Sequence, residues 1–205
     1  MANETKGRRL PIVEDFYSIQ GEGFNSGKAA YFVRLAGCDV RCSWCDAKES
    51  WEVGNHPLRS VEWIVERVVA SGARTVVVTG GEPMLHNLSE LCEALHRINV
   101  EVFVETTGSR TLTANFDWVC ISPKRQKAPI DSAMAKADEL KVVVAESRDL
   151  EWAEECAARV GSQCKLYLQP EWSVTQSIMP TLVQYAKRHP QWRISIQTHK
   201  YMQIP

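Results

Sequence analysis

Seven short runs rich in Val, Ile and Leu, at residues 30–35, 75–79, 101–105, 118–121, 140–144, 165–168 and 193–196, recur along the chain with helical patterns between them. Most are continuous rather than alternating, which is how strands buried on both faces of a parallel sheet read. The intervening patterns predict helices at 60–70, 87–98, 132–137, 150–160 and 175–188. Ser60, followed by Glu62 and Trp63, is placed to cap the first helix, and Pro180 is expected to kink the last or to begin its main segment. A repeated strand–helix order implies right-handed crossovers and a parallel sheet. Seven strands fall short of a closed eight-fold barrel. The pattern therefore predicts an α/β fold, an open, partial TIM-like βα barrel in a single domain, with ligands at the C-terminal ends of its strands.

The chain has 205 residues and a formal net charge of −1, so no charge excess points to nucleic acid or to a membrane surface. No apolar run approaches the ~20 residues of a spanning helix. The first residues are basic with no apolar segment behind them, which does not read as a secretory signal. Seven cysteines without an export signal argue for metal, catalytic or buried thiols rather than disulfides, and the expected location is cytoplasmic.

Three of those cysteines follow the first run in Gly37-Cys38-Asp39-Val40-Arg41-Cys42-Ser43-Trp44-Cys45-Asp46. Three thiolates on one short loop can hold three corners of an iron–sulfur cube, which normally takes four cysteines, and so leave one iron open to a ligand. The alternatives are zinc and chance clustering. A structural zinc wants four protein ligands and no fourth is evident, His56 being distant in sequence and Asp46 poorly spaced. Cys92, Cys120, Cys156 and Cys164 are scattered and read as small core residues.

Further motifs fall at strand ends. Thr79-Gly80-Gly81-Glu82-Pro83 pairs two glycines, which let backbone approach a ligand, with a carboxylate suited to a cationic amine. Glu105-Thr106-Thr107-Gly108, Ser122-Pro123-Lys124 and Gln169-Pro170 end later runs, and their shared position raises the expectation of one pocket. Before the cysteines, Gln20, Glu22 and Arg34 could recognise a polar heterocycle bearing a carboxylate, with Arg34 as a bidentate clamp. After the last run, the polar tail 196–205 should curl over the barrel mouth.

The cysteine loop, including Trp44 before its last cysteine, resembles the signature of the radical S-adenosylmethionine superfamily, and the Gly-Gly-Glu turn resembles that superfamily's motif for the methionyl amino group. The motifs SIQGEG, FVRLAGC, WCD, TGGEP, SPK and QTHKY ending in Ile-Pro resemble, in combination and from about residue 10 to 205, the 7-carboxy-7-deazaguanine synthase family. The resemblance implies a radical lyase of queuosine and 7-deazapurine biosynthesis, converting 6-carboxy-5,6,7,8-tetrahydropterin into 7-carboxy-7-deazaguanine and ammonia. In that family a 5′-deoxyadenosyl radical takes the pterin C6 hydrogen and later returns it, so S-adenosylmethionine is regenerated.

By position, the resemblance implies that Cys38, Cys42 and Cys45 hold a 4Fe–4S cluster. S-adenosylmethionine is expected at Trp44, Cys45, Asp46, Gly81, Glu82, Ser122, Pro123, Lys124 and Gln169. The substrate is expected at Ile19, Gln20, Gly21, Glu22, Arg34, Thr79, His199 and the terminal carboxylate of Pro205. The whole of 1–205 would be one radical core domain, with an N-terminal substrate-binding segment and a tail closing the mouth. Flavodoxin or ferredoxin as reductant and a homodimer are also implied. One departure concerns Mg2+: many members carry a hydroxyl residue where this chain has Ala47, so either substrate oxygens and water, or the charge of Lys48, would have to serve. The rival expectations are a glycyl-radical activase acting on a partner protein and a non-enzymatic iron–sulfur or zinc module.

Overall fold

A computed structural model describes residues 8–205; the start of the basic N-terminal stretch, residues 1–7, lies outside the described residues. The chain opens with a hairpin. Strand β1 (Arg9–Ile19) runs antiparallel to β2 (Ala29–Leu35), with an irregular register between Ile12 and Glu14. A short strand, β3 (Leu58–Ser60), pairs on the other side of β1.

The alternating part then follows: α1 (Val61–Ser71), β4 (Thr75–Gly80), α2 (Ser89–His96), β5 (Glu101–Thr106), β6 (Trp118–Ile121), α3 (Asp131–Met134), β7 (Glu139–Val144), α4 (Asp149–Ala157), β8 (Lys165–Pro170), α5 (Thr175–Arg188), β9 (Trp192–Ile194) and α6 (Thr198–Met202). The sheet order is β3-β1-β2-β4-β5-β6-β7-β8-β9. All pairs from β2 to β9 are parallel, as the seven apolar runs predict. The two end strands, β3 and β9, are not neighbours in the sheet. The fold is an open, partial βα barrel.

The two strands absent from the sequence reading are β1 and β3. β1 carries Pro11 and the acidic pair Glu14 and Asp15, and much of it is only half-buried, so it lacks the apolar continuity of a strand covered on both faces. The helices largely match their expected spans. Ser60 Oγ accepts from the Trp63 backbone N–H at 3.3 Å, as a cap should, and Gly72 ends α1 in the left-handed region at φ 71. α5 already begins at Thr175 and runs through Pro180, so the proline does not start its main segment.

Period-two alternation sorts each strand between two layers. Val76 and Val78 join Val102, Val104, Leu140 and Val142 in the core beneath the helices, against Ile64, Val68, Leu91, Leu95 and Leu182. Val77 faces the other way, into a smaller cluster with Ala30, Phe32 and Phe103 that lines the concave side. That apolar cluster leaves the strand C-termini free to form a site.

Candidate active site

The concave side opens into a cavity of about 610 Å3, within the usual range for a small-molecule site. Its wall begins where β2 ends. Gly37, at φ 104, turns the chain out of the sheet, and the loop is closed at its base by Gly37 N–H to Ser50 C=O (2.7 Å) and Cys38 N–H to Trp51 C=O (3.1 Å). Within it, Arg41 adopts a left-handed φ of 52 and Cys45 N–H reaches Cys42 C=O at 3.0 Å. Cys38, Cys42 and Cys45 all line the cavity.

Gly80, which ends β4, and Gly81 hold this loop in place. Gly81 N–H donates to Leu35 C=O (3.0 Å) and Glu82 N–H to Gly37 C=O (2.7 Å). A Cβ on Gly81 would meet the Gly37 carbonyl carbon at 2.7 Å and Cys38 Cβ at 2.9 Å. Gly80 sits at φ 135, tight against the Leu35 backbone. The two glycines let the backbone come close to the cysteine loop, and both also line the cavity.

Two expected cofactor contacts, Glu82 and Pro123, are not on the cavity wall. The Glu82 side chain is fully buried, 0% exposed, and is not on the cavity wall. It accepts from Thr106 Oγ1 (2.5 Å), Thr107 N–H (2.9 Å), Thr107 Oγ1 (2.6 Å) and Met84 N–H (3.0 Å). A carboxylate with four donors already bound is a strut between the ends of β4 and β5, not a free partner for an amine. Pro123 is likewise buried behind the wall. Its neighbours Ser122 and Lys124 do line the cavity, with Lys124 Nζ 2.7 Å from Ser122 Oγ and 5.4 Å from the centre of the Trp44 ring. Burial pulls the Lys124 pKa down.

Every other expected site residue lines this one cavity: Ile19, Gln20, Gly21, Glu22, Arg34, Trp44, Asp46, Thr79, Gly81, Gln169, His199 and Pro205 join the three cysteines. Arg34 is 23% exposed at its side chain and gives its Nε to Glu14 at 2.7 Å, so the ion pair and the cavity position coexist. On the floor, Gln20 Nε2 donates to Glu105 Oε1 at 2.9 Å. Lys141 Nζ pairs with Glu22 and lies 3.5 Å from Glu105 Oε2. Burial works against both charges of this group, yet Lys141 and its hydrogen bonds hold Glu22 well below the usual carboxylate range, and Glu105 and Glu22 hold Lys141 above its own.

The tail forms the remaining wall. Thr198 donates twice to Gly21 C=O, from N and from Oγ1, each at 2.9 Å. A Cβ on Gly21 would collide with the His199 backbone nitrogen at 2.7 Å. Ser18 Oγ reaches the Pro205 carbonyl oxygen at 3.1 Å. Trp172 and Tyr201 meet edge to face at 5.6 Å. Burial lowers the His199 pKa, with Glu22 opposing, which favours the neutral imidazole.

Sequence reading missed Lys141, Gln197 and the role of Glu105. The signal for Lys141 was available: a lysine inside the apolar run 140–144 is rarely buried without a partner. Cys92, Cys120 and Cys156 are buried and Cys164 packs at the core edge; burial raises the thiol pKa of each, to about 12 for Cys92 and about 11 for Cys156, as inert core residues require.

The donor set fits an iron–sulfur cluster. Three thiols and no fourth cysteine line the one cavity, and among the described residues no three His, Cys, Asp or Glu side chains converge as a single metal ion would need. A cube takes each thiolate on a different iron.

A partial βα barrel with such a loop at its mouth defines a radical S-adenosylmethionine enzyme, and the family model described as the Radical SAM superfamily matches residues 33–124. The chain is 46% identical to the 7-carboxy-7-deazaguanine synthase of Flavobacterium psychrophilum, over 98% of this chain and 95% of that protein. It is 43% identical to the synthase of Synechocystis sp., over 95% of this chain and 93% of that one. The crystal structure of QueE from Escherichia coli superposes with a TM-score of 0.84 at 30% identity, covering 92% of this chain and 94% of that one. The chain belongs to the 7-carboxy-7-deazaguanine synthase family.

Proposed function

We propose that this chain converts 6-carboxy-5,6,7,8-tetrahydropterin into 7-carboxy-7-deazaguanine and ammonia, in the route to queuosine and other 7-deazapurines. The observation that carries this reading is a single cavity whose mouth holds three thiols and whose floor presents Gln20, Arg34, Thr79 and His199. Cys38, Cys42 and Cys45 would hold the cluster, which supplies the electron that cleaves S-adenosylmethionine. All other work falls to side chains of the chain itself.

Trp44, Asp46, Gly81, Ser122, Lys124 and Gln169 line the mouth where the cofactor's methionine and nucleoside would lie. Gln20 and Glu105 present an amide and a carboxylate to the donor edge of a pterin, and Arg34 offers its guanidinium to the substrate carboxylate. Neutral His199 can donate or accept a hydrogen bond without adding charge. The tail, held on Gly21 and Ser18, shields the floor from water.

Magnesium does not fit the residues present. Ala47 offers no side-chain oxygen, and Asp46 Oδ2 meets Lys200 Nζ at 3.2 Å and Gln197 Nε2 at 3.4 Å. Lys48 is exposed and off the cavity wall, so the nearby positive charge comes from Lys200 instead.

A reducing, cytoplasmic setting is supported by seven cysteines, all free. Among the described residues no helix is long and apolar enough to cross a membrane. The family resemblance implies a flavodoxin or ferredoxin reductant and a homodimer; Arg41 and Lys48, exposed on the cysteine loop, suit an acidic electron carrier. An activase or a non-enzymatic metal module is not favoured, because relatives over nearly the whole chain are synthases and the cavity is closed by the chain's own tail. Anaerobic incubation of reconstituted protein with dithionite, S-adenosylmethionine and the carboxypterin should yield the deazapurine and ammonia. Deoxyadenosine without either product would reject the substrate assignment.

A further inference from the structure

Lys141 has no part in the chemistry described so far, yet it is the most deeply buried cation of the cavity floor, 4% exposed at its side chain. Its neighbours on β7, Leu140 and Val142, belong to the core beneath the helices, so the strand turns Lys141 to the concave side. There its ammonium pairs with one oxygen of Glu22, while the other oxygen of Glu22 accepts from Gln197 Nε2 at 2.8 Å. Gln197 is the residue from which the tail helix α6 starts. Its own Oε1 accepts from Lys200 Nζ at 3.0 Å, and Lys200 reaches Asp46 beside the last cysteine.

A continuous polar chain thus runs from Glu105 on β5 through Lys141, Glu22 and Gln197 to Lys200 and Asp46. It crosses the cavity from floor to mouth. Glu22 is its pivot: with Lys141 in place, the carboxylate stays ionised and is held with one face to β7 and the other to the tail. Without the ammonium, Glu22 and Glu105 would be two half-buried carboxylates facing each other on one floor, and Glu22 would protonate or turn away. Either change weakens the acceptor that Gln197 uses.

We infer that Lys141 is a positioning residue that seats the C-terminal tail over the substrate, acting through Glu22 on Gln197. The inference rests on the reading above only in taking the tail to cover the pterin. Its structural half, tail seating, does not depend on which substrate is used.

The test is amide hydrogen exchange of residues 197–204 in the full-length, reconstituted protein, together with steady-state kinetics. Lys141→Met should cost at least ten-fold in tail protection and raise the pterin KM about ten-fold or more, with a much smaller change in kcat and none in the KM for S-adenosylmethionine. The double variant Glu22→Gln/Lys141→Met keeps an amide acceptor for Gln197 without a stranded charge, and should regain most of the tail protection. Wild-type tail protection in Lys141→Met would overturn the inference. If that variant loses protection throughout, the double variant decides: a folded double variant with an open tail overturns the inference, and one with a protected tail supports it. Absence of pterin turnover in the wild type would reject the proposed substrate while leaving the exchange result to stand on its own.

Discussion

Replacing Glu82 with Gln separates two accounts of the Gly-Gly-Glu turn. If the carboxylate bound the cofactor amine, the variant would lose affinity for S-adenosylmethionine and keep its fold. The structure predicts a loss of stability instead. One oxygen of Glu82 serves Thr106 Oγ1 and Met84 N–H; the other serves Thr107 N–H and Thr107 Oγ1. A glutamine can keep one oxygen pair, and the Thr107 hydroxyl can rotate to accept. The Thr107 N–H then faces an NH2 group with nothing to accept it. A buried donor left unpaired costs about 1–3 kcal/mol, and exchanging charge-assisted bonds for neutral ones adds about 1 kcal/mol or more. The expected total is about 3 kcal/mol. For a chain of this size, each kcal/mol moves Tm by about 2–4 °C, giving a fall of about 6–12 °C. The assay is thermal unfolding of the cluster-free protein, followed by circular dichroism and checked by urea titration at constant m. A Tm within about 2 °C of wild type, coupled with a ten-fold rise in the cofactor KM, would refute the strut.

Gly21→Ala should push the tail off its seat, since the new Cβ meets the His199 backbone; the pterin KM should rise at least ten-fold while binding of S-adenosylmethionine, measured by calorimetry, stays unchanged. Arg34→Ala should abolish pterin turnover yet leave slow, uncoupled deoxyadenosine release, and unchanged turnover would remove Arg34 from the site. Excess EDTA, added after the cluster is built, should leave turnover within about two-fold, because Ala47 brings no side-chain oxygen and Asp46 Oδ2 is engaged by Lys200 and Gln197; a loss restored by Mg2+ contradicts this. The Glu22 pKa is depressed in the folded chain, so its contribution to stability is fully present above the ordinary carboxylate range and is lost as pH falls through the folded value. In urea titrations the advantage of wild type over Glu22→Gln should therefore be constant from about pH 7 to 5 and shrink below about pH 4.

The parallel strands were legible because most are covered on both faces and read as largely apolar runs, as at 75–79. β1 was not, since Pro11, Glu14 and Asp15 belong to a strand with an exposed side. The cysteine loop and most cavity residues were legible because they sit at strand ends in recognisable order. The burial of Glu82 was not legible, because sequence shows a carboxylate after two glycines but not the two threonines, 24 and 25 residues later, that donate to it. The pairing of Glu22 with Lys141 joins positions 119 residues apart, and only the folded sheet brings them together. Burial and long-range partnering were the hidden quantities, and both depend on strand order rather than on local pattern.

Radical chemistry in this cavity requires one iron that lacks a protein ligand and meets the cofactor there. Electron–nuclear double resonance on the reduced, reconstituted protein with S-adenosylmethionine labelled at the methionyl nitrogen and carboxylate oxygen tests this directly. Strong couplings from both labels to the cluster are predicted, with the cluster signal shifting when the cofactor is added. A signal indifferent to the cofactor, or coupling to a fourth side chain in its place, would contradict the account.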